Sequence, residues 1–354
     1  MTDQMKSYFN ESIKVGDGYK ILLLGDICCF RQKSTRTSYF KSDNGLYNFY
    51  TPNGIKKCDI ADYNEESLII SSNNENIYID NVFSCSNNNY IINTPFNLYV
   101  YYILSGKKEL LNIGYSGNGK IKNLSKNSLR NLQIPIPICE LKMNEWVIKI
   151  SNQYNEVKDK KIKKKEMQYF IKNRMNEIIK QECDEIKLGT IGAIWSGSSL
   201  SNDIAIKGDY NVYNGINTSY THNIYNIEAD NIIISKYIDN VTCVKLIKEK
   251  NFITNNCYSI HIYNNVIRKY ILYYLLYNND ALYKLARGTI VKTISHIDLS
   301  NFIVRIPKML FILELETHFK ELETLEQEYK HAQQLYNQYI QQLCEEAIPC
   351  DSYS

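Results

Sequence analysis

Residues 120–137 read KIKNLSKNSLRNLQIPIP, and residues 290–307 read IVKTISHIDLSNFIVRIP. The two stretches place the same residue types at the same spacing. The matched pairs are Lys122 with Lys292, Ser125 with Ser295, Leu129 with Leu299, Asn131 with Asn301, and Ile136-Pro137 with Ile306-Pro307. A pattern that recurs at a distance of 170 residues (290 minus 120) predicts that the chain contains one structural unit twice.

Further matches occur in the same order along the chain. They are LGDI (24–27) with LGTI (188–191), GLYNFY (45–50) with GDYNVY (208–213), LIIS (68–71) with IIIS (232–235), and YYIL (101–104) with YYLL (273–276). One such match is compatible with chance, whereas five in the same order are not. The sequence therefore predicts a tandem duplication of a unit of roughly 165 residues, which is longer than the repeats of solenoid proteins.

The composition is that of a globular chain, because 44% of the 354 residues are hydrophobic and 22% are charged. No apolar run approaches the roughly 20 residues that span a bilayer, and residues 1–14 have no hydrophobic signal core. A cytoplasmic location without a membrane partner is therefore expected, with the ten cysteines as reduced thiols. Since no CxxC pair occurs, neither a metal site nor another cofactor is expected.

Net charge and residue usage leave the partner open. The formal net charge of +3 is too small to indicate a polyanion by itself. The 30 tyrosines and many asparagines have two explanations. An A/T-rich genome favours their codons, and a DNA-binding surface would also use them because both side chains hydrogen-bond to bases and phosphates.

Each copy has a β-rich part followed by a long helix. Short β-branched and aromatic runs such as NIIISKYI (231–238) and NCYSIHIY (256–263) predict short strands in a mixed domain. The apolar stretches VYYIL (100–104) and YILYYLL (270–276) predict a buried helix in each copy. After Pro307 nothing interrupts a helix until Pro349, and a matching helix is predicted from about Leu141 to Gln181.

Both long helices have an apolar seam with the spacing of a coiled coil. In the first helix the seam comprises Val147, Ile150, Tyr154, Val157, Ile171, Met175 and Ile178, with Lys161, Lys164 and Gln168 at its polar centre. In the second it comprises Leu315, Leu322, Leu325, Tyr329, Ala332, Tyr336, Tyr339 and Leu343. Two unrelated solvated helices would leave both seams exposed to water, so pairing is favoured.

Charge indicates that the two helices pair with each other. Residues 140–182 contain eleven Lys/Arg against seven acids, whereas residues 313–346 contain eight acids against two lysines. Unlike charges beside a seam set partner choice. The predicted fold class is α+β: two homologous, mixed, β-rich globular domains separated by a long antiparallel two-helix coiled coil, with pseudo-two-fold symmetry.

The motifs in this order resemble the specificity subunit of Type I restriction-modification systems. The resemblance rests on LGDI and LGTI, on G-x-Y-N-x-Y some twenty residues later, and on L-S-x-x-x-L-x-N-x-x-I-x-I-P before a long helix. It implies two target-recognition domains, each reading half of a bipartite DNA site, and paired helices that act as spacer. The implied boundaries are 1–138 and 184–308 for the recognition domains, 139–183 and 309–348 for the spacer helices, and 349–354 for a tail.

The same resemblance implies the partners. They are double-stranded DNA, two DNA methyltransferase (M) subunits and, if the system restricts DNA, restriction (R) subunits, while the chain itself has no catalytic residues. The family usually places Glu-Gln shortly after the proline, whereas ICELKMNEW (138–146) and KMLFILELE (308–316) stand here. Residues 141–145 and 311–315 therefore say little about how a partner docks.

Phosphate contacts come from Lys and Arg, and base contacts from bidentate polar side chains. The residues predicted to contact DNA are Arg31, Lys33, Arg36, Lys41, Tyr47 and Asn48 in the first copy, and Ser198, Ser199, Lys207, Tyr210, Asn211, Lys236 and Lys245 in the second. The two Tyr-Asn pairs are expected in turns beside glycines. The alternative is that each pair is an Asn-stabilised turn with a packed tyrosine, and that the cations are solvated surface.

No catalytic motif accompanies these residues. Asn93-Thr94-Pro95-Phe96 lacks a proline of the adenine-methyltransferase tetrapeptide, and GYSGNGK (114–120) is followed by Ile rather than the Ser/Thr of a phosphate-binding loop. Two other functions remain open. A stand-alone DNA-binding protein (a repressor or decoy) would bind duplex DNA without a methyltransferase, and a coiled-coil scaffold would show no salt-dependent affinity for duplex DNA.

Overall fold

The structure divides into two compact units. A computed structural model describes residues 13–37, 39–42, 45–116, 123–200, 207–237, 243–288 and 292–349. Unit 1 takes the described residues up to Asp159 together with those from Tyr329 onward, and unit 2 takes those from Lys160 to Glu328. Lys122 of the repeated motif and residues 350–354 of the predicted tail lie outside the described residues.

Unit 1 combines short strands with short helices. Its strands are β1 (Tyr19–Leu23), β2 (Cys29–Phe30), β3 (Tyr47–Thr51), β4 (Gly54–Cys58), β5 (Ser67–Ser71), β6 (Ile77–Asp80), β7 (Phe83–Cys85), β8 (Asn89–Asn93), β9 (Tyr115–Ser116), β10 (Asn123–Leu124) and β11 (Gln133–Pro137). Its short helices are α1 (Leu24–Ile27), α2 (Asn97–Gly106), α3 (Lys108–Gly114) and α4 (Lys126–Arg130). Helix α5 (Glu140–Ile179) follows and continues into unit 2.

Unit 2 repeats this order. Its strands are β12 (Cys183–Lys187), β13 (Gly192–Ser196), β14 (Tyr210–Asn214), β15 (Asn217–His222), β16 (Asn231–Ser235), β17 (Val244–Ile247), β18 (Phe252–Ile253), β19 (Cys257–Ile262) and β20 (Ile303–Pro307). Its short helices are α6 (Leu188–Ile191), α7 (Asn265–Tyr277), α8 (Asn279–Leu285) and α9 (His296–Ser300). Helix α10 (Met309–Ala347) follows and continues into unit 1.

The sheets of the two units have the same topology. The sheet β2-β8-β5-β6 corresponds to β13-β19-β16-β17, the sheet β4-β3-β7 to β15-β14-β18, and the pair β1-β11 to β12-β20. Even the parallel pairing of β3 with β7 recurs as β14 with β18, within otherwise antiparallel sheets. The predicted α+β class with two homologous β-rich halves is therefore confirmed.

The doubled sequence motif encodes a helix cap followed by a strand. Ser125 and Ser295 begin α4 and α9, and the Oγ atom of each accepts a hydrogen bond from the backbone N–H three residues later. Such a cap is worth about 1 kcal/mol. The prolines that end the motif, Pro137 and Pro307, pair with Tyr19 and Cys183, so the motif closes each unit onto its own first strand.

The glycine of each LG motif permits a close approach of two short helices. A Cβ atom on Gly25 would lie 2.9 Å from the Cβ atom of Arg130, and one on Gly189 would lie 3.0 Å from that of Ser300. The preceding leucines are anchored alike, since the Leu24 N–H donates to Leu132 O and the Leu188 N–H donates to Phe302 O. The motif therefore fixes α1 against α4, and α6 against α9.

Each apolar tyrosine-rich stretch forms the central helix of a core. In unit 1, Tyr99 of α2 is fully buried and its hydroxyl donates to Pro135 O at 2.8 Å. In unit 2, Tyr270 of α7 is also fully buried and its hydroxyl donates to Arg305 O. Burial raises the pKa of both phenols, which stay neutral. The predicted buried helices are confirmed.

Within unit 1, the first half of α5 packs antiparallel to the last part of α10. Lys142 forms an ion pair with Glu346, and Gln153 donates to Ala332 O at 3.3 Å. Residue numbers thus rise along α5 where they fall along α10, which is the antiparallel arrangement. Ile150 and Leu343 are fully buried, as the seam predicted. Tyr154 is 50% exposed, but its ring meets that of the seam residue Tyr336 with centres 5.7 Å apart, so it lies at the edge of the seam, while its neighbour Gln153 is buried.

Within unit 2, the remaining halves of the helices pair by the same rule. Lys160 forms an ion pair with Glu328 at 2.8 Å, Lys164 with Glu326 at 3.2 Å, and Arg174 with Glu314 at 2.7 Å. These ion pairs confirm the prediction that the basic helix pairs with the acidic helix. Lys161 is exposed, so its predicted seam position is wrong, and the polar centre is formed by Lys160 and Lys164.

The Arg174–Glu314 pair predicts a pH-dependent contribution to stability. Two parallel bonds (2.7 and 3.0 Å) join the side chains, and the guanidinium lowers the pKa of Glu314. A depressed carboxyl pKa stabilises the folded state above the unfolded pKa of about 4.3 and loses this effect as pH falls through the folded pKa. Because the pair is partly exposed, Arg174→Ala is expected to destabilise unit 2 by about 0.5–1 kcal/mol at pH 7.

The measurement is urea unfolding of the wild type and Arg174→Ala at pH 7 and at pH 3. The difference between the two proteins is expected to shrink at pH 3, because the carboxylate of Glu314 takes up a proton as the pH falls through its lowered pKa. Lys172→Ala, at an exposed position of the same helix, is the matched control. An Arg174→Ala difference that is equal at both pH values would contradict this role of the pair.

Within the described ranges, no helix combines the length and the apolar character that crossing a bilayer requires.

Candidate nucleic-acid interface

The basic loop of unit 1 follows β2 and is fixed at several points. The Arg31 N–H donates to Ile91 O at 2.9 Å, and the Arg31 side chain pairs with Glu65 and donates to Asn93 Oδ1. The loop ends where the Ser42 N–H donates to Lys57 O at 2.8 Å. Two predicted residues, Lys33 and Lys41, project from it as exposed side chains.

Arg36, in the middle of this loop, binds a carboxylate rather than projecting freely. Its Nε and Nη2 atoms donate to the two oxygens of Asp62 at 3.1 and 2.9 Å, and its guanidinium lies 3.9 Å from the centre of the Phe40 ring. The guanidinium lowers the pKa of Asp62, which is therefore ionised at neutral pH. The charge of Arg36 is largely offset at this place.

Three cations surround two aromatic rings in unit 1. Lys33 Nζ lies 5.0 Å from the Tyr90 ring centre, and Lys126 Nζ and the guanidinium carbon of Arg130 lie 4.8 and 5.8 Å from that of Phe30. The two rings meet edge to face at 6.4 Å. In the described part of the chain, no carboxylate lies within ion-pair distance of these three cations. We call these five residues the basic–aromatic cluster.

Unit 2 has a related site around the equivalent tyrosine. Tyr90 pairs with Ile70 in β5, and Tyr258 pairs with the matching Ile234 in β16. Lys236 Nζ lies 4.5 Å from the Tyr258 ring centre and donates to Ser196 Oγ at 2.6 Å. Burial lowers the pKa of Lys236. In each unit a predicted lysine thus lies over the equivalent tyrosine, Tyr90 or Tyr258, although the two lysines come from different loops.

The two Tyr-Asn pairs lie in strands, so their predicted placement in turns is wrong. Tyr47 and Asn48 begin β3, and Tyr210 and Asn211 begin β14, because ladder hydrogen bonds to β4 and β15 extend to the first residue of each strand. Asn48 donates to Asp80 Oδ2 at 2.8 Å and accepts from Lys57 Nζ at 3.1 Å.

The two tyrosines of GDYNVY (208–213) make different contacts in unit 2. Tyr210 packs against Tyr225 with ring centres 5.1 Å apart, while Lys245 Nζ donates to the hydroxyl of Tyr213 at 3.2 Å. Tyr213 and its counterpart Tyr50 are both buried. Lys245 is exposed and lies over Tyr213, whereas Lys236 lies over Tyr258.

The remaining predicted residues are exposed. Ser198 forms a bridge to Thr254 after β13, and Ser199 follows it at the surface. Lys207 lies at the surface just before β14. The structure therefore brings Lys33 and Lys236 into matched sites, but leaves Lys41, Lys207, Ser198 and Ser199 as surface residues of their loops.

Sequence reasoning missed Lys126, Arg130, Phe30 and Tyr90. Lys126 and Arg130 stand inside the repeated motif, where the second copy has His296 and Ser300. A loss of two positive charges within an otherwise matched motif is a visible signal. The aromatic partners gave no such signal, because only the pairing of β2 with β8 brings Phe30 and Tyr90 together.

Such a surface can bind a polyanion. Lysine and arginine neutralise phosphates and release counterions from duplex DNA, and aromatic rings beside them hold the cations in place through their negative faces. The cations of the basic–aromatic cluster remain available to an incoming anion, since none of the described carboxylates forms an ion pair with them. The arrangement suits phosphate contact and supplies no nucleophile or paired acid and base.

Comparison with known proteins finds relatives of the domain and of the fold. Residues 16–164 match the family model of the Type I restriction modification DNA specificity domain. The match covers the strands, the basic loop and the repeated motif of unit 1. No curated protein matches the chain.

Among solved structures, the chain is similar to the Type I restriction-modification S subunit from M. genitalium, with 15% identity, a TM-score of 0.61, and coverage of 94% of this chain and 97% of that chain. A structure of a type I R-M system described for complex assembly and conformational transition matches with 12% identity and a TM-score of 0.44, covering 94% of this chain and 99% of that chain. The HsdS subunit from Thermoanaerobacter tengcongensis matches with 14% identity and a TM-score of 0.37, covering 96% and 98%.

The duplicated α+β fold is therefore shared with a solved S subunit, and the first unit is a DNA specificity domain. The predicted resemblance to the specificity subunit of Type I restriction-modification systems is confirmed: residues 16–164 match the DNA specificity domain family, and the chain shares the fold of a solved S subunit.

Proposed function

We propose that the chain reads a bipartite site in duplex DNA and brings methyltransferase subunits to it. The observation that carries this proposal is the recurrence, in unit 2, of the sheet order that unit 1 uses as a DNA specificity domain. Two homologous units that differ in their surface residues are suited to reading two different half-sites. The boundaries 1–138, 139–183, 184–308, 309–348 and 349–354 are retained as the proposed division into recognition domains, spacer helices and tail.

At the level of residues, the proposal assigns phosphate contacts to the cations that lie over equivalent tyrosines. These are Lys33 in unit 1 and Lys236 in unit 2. Lys126 and Arg130 join them, and Lys41, Lys207 and Lys245 extend the basic surface. Base contacts are assigned to polar side chains near these loops, with Asn48, Asn211, Ser198 and Ser199 as the predicted set.

The chain is proposed to act without a catalytic residue of its own. Its partners would be duplex DNA, two methyltransferase subunits and, if the system restricts DNA, restriction subunits. The chemistry of methylation would then belong to the partner chains.

The test is to co-express the chain with the methyltransferase gene of its own genome and to map modified adenines. A complex with two methyltransferase chains that modifies a bipartite sequence is the expected result. A chain that binds DNA tightly but co-purifies alone would indicate a repressor or decoy, and a chain without salt-dependent affinity for duplex DNA would indicate a scaffold.

A spacer role for the long helices makes a separate prediction. Helix α5 is uninterrupted over 40 residues and joins the last strand of unit 1 to the first strand of unit 2. Seven residues inserted into both α5 and α10 add about 10 Å at ~1.5 Å per residue, which corresponds to about three base pairs of B-DNA. We expect the unread gap of the target to lengthen accordingly, with both half-sites unchanged.

Mapping of methylated adenines in cells that carry the insertion variant measures this gap. A matched control inserts seven residues into the loop near Asn53, which lies outside both helices. An unaltered gap in an active insertion variant would rule out the spacer role.

A further inference from the structure

Among the contacts that hold the loop carrying Lys33 and Lys41, the ion pair of Arg36 with Asp62 has its acid fixed to the sheet. Asp62 accepts both bonds from Arg36. The Asp62 N–H in turn donates to Ser84 Oγ at 2.9 Å, and Ser84 Oγ donates to Ile60 O at 2.8 Å. Ser84 is fully buried in β7. The carboxylate that receives Arg36 is thus fixed to the sheet.

Two further contacts hold Arg36 itself. Its carbonyl oxygen accepts a hydrogen bond from the Asn87 N–H at 2.7 Å, in the turn between β7 and β8. Its guanidinium covers Phe40, whose ring meets the buried Phe49 of β3 edge to face at 5.6 Å. The side chain therefore connects the middle of the loop to the sheet β4-β3-β7.

The equivalent loop of unit 2 is held from the equivalent position. Asp62 precedes Tyr63, which bridges to Phe83, and Asn226 precedes Ile227, which bridges to Asn251. Asn226 exchanges two hydrogen bonds of 2.8 Å with the backbone of Ile253, and its Nδ2 atom lies 3.4 Å from Ser198 Oγ. Asp62 in unit 1 and Asn226 in unit 2 thus occupy equivalent positions. Asp62 binds the loop after β2, and Asn226 lies against the loop after β13.

We propose that Arg36 and Asp62 form a positioning pair, which sets the DNA-facing loop of unit 1, and that Arg36 does not contact phosphate itself. This inference rests on the proposed function and changes the role that the sequence predicted for Arg36. Its consequence is that an acid near the DNA surface increases affinity for DNA, because that acid holds two lysines in place.

The test is duplex binding by Asp62→Ala. If Arg36 were a phosphate contact that Asp62 competes for, removing the acid would strengthen binding. If the pair positions the loop, the contacts of Lys33 and Lys41 are lost, and binding is expected to weaken about 10-fold at 0.15 M salt. Arg36→Ala is expected to weaken binding to a similar extent, and the double variant no further, since both act through one pair.

Two controls separate positioning from general damage. Asp59→Ala removes an exposed acid of the same unit and is expected to leave binding unchanged or slightly stronger. Asp62→Asn keeps the shape of the side chain and copies the residue type of Asn226, and it is expected to bind several-fold more weakly than the wild type. The unfolding midpoint of each variant, followed through Trp146 in unit 1, is expected to stay near that of the wild type.

Binding to DNA with base substitutions in one half-site at a time distinguishes positioning of the loop from general loss of structure. Base substitutions in the first half-site are expected to matter less in Asp62→Ala, whereas those in the second half-site keep their full effect. Equal or tighter binding by folded Asp62→Ala or Asp62→Asn overturns the positioning role. If the wild type itself shows no sequence-selective duplex binding, the proposed function fails instead, and the two failures are therefore distinct.

Discussion

Replacing Lys33, Lys126 and Arg130 together by alanine is expected to weaken duplex binding roughly 100-fold at 0.15 M salt, since each lost phosphate contact reduces the salt slope by about 0.9. The three cations lie over the rings of Tyr90 and Phe30. Alanine keeps the Cβ atom of Arg130 that packs against Gly25, so the fold is retained. Fluorescence anisotropy over a salt series measures both the affinity and the slope.

The matched control removes the same charge from another surface. Lys158, Lys161 and Lys165 are exposed on α5, and their triple alanine variant has the same net charge as the cluster variant. It is expected to lose only a small part of the affinity, because these lysines form a solvated stripe on the helix. A slope that falls equally in both triple variants would show that net charge, and not the basic–aromatic cluster, determines binding.

Phe319→Ala is expected to lower the unfolding free energy of unit 2 by about 3–5 kcal/mol, the usual range for truncation of a buried phenylalanine. Phe319 of α10 is 1% exposed, and its ring stacks on Tyr273 of α7 with centres 4.2 Å apart. Removing the ring leaves a cavity between α10 and α7, which the neighbouring side chains cannot fill without moving these helices.

The two tryptophans allow this loss to be assigned to one unit. Trp146 lies in unit 1 and Trp195 in unit 2, so a Trp146→Phe background reports unit 2 alone by fluorescence during urea unfolding. Tyr169→Ala, at a 68% exposed position of α5, is the control, with an expected change within about 0.5 kcal/mol. An equally small change for Phe319→Ala would show that the packing of α10 against α7 does not stabilise unit 2.

Patterns that depend on near neighbours along the chain predicted the architecture well. The serine caps and the apolar tyrosine helices depend on residues within a few turns of each other, so a repeated sequence pattern predicts a repeated structure. Helix pairing followed from total charge and seam spacing, which a single residue cannot reverse. Tyr154 meets its seam partner Tyr336 from an exposed edge, while Gln153 is buried beside it, because only the partner helix sets the rotation of α5.

The candidate interface depended on contacts that the order of residues does not reveal. Arg36 and Lys33 are equivalent in the sequence, as two cations of one loop. In the structure Arg36 is held by Asp62, 26 residues away, whereas Lys33 lies over Tyr90. No local pattern distinguishes them, since a carboxylate offsets a charge only when the fold brings the two groups together.

The sequence by itself determined that the chain contains one unit twice, that each unit is β-rich, and that a basic helix pairs with an acidic one. These properties follow from periodicity, capping and summed charge, all of which can be counted along the chain. Only the tertiary structure decided which cations pair with a carboxylate and which lie over an aromatic ring. Lys33 and Lys236 reach equivalent tyrosines from different loops because sheet pairing, and not position in the chain, determines which side chains meet.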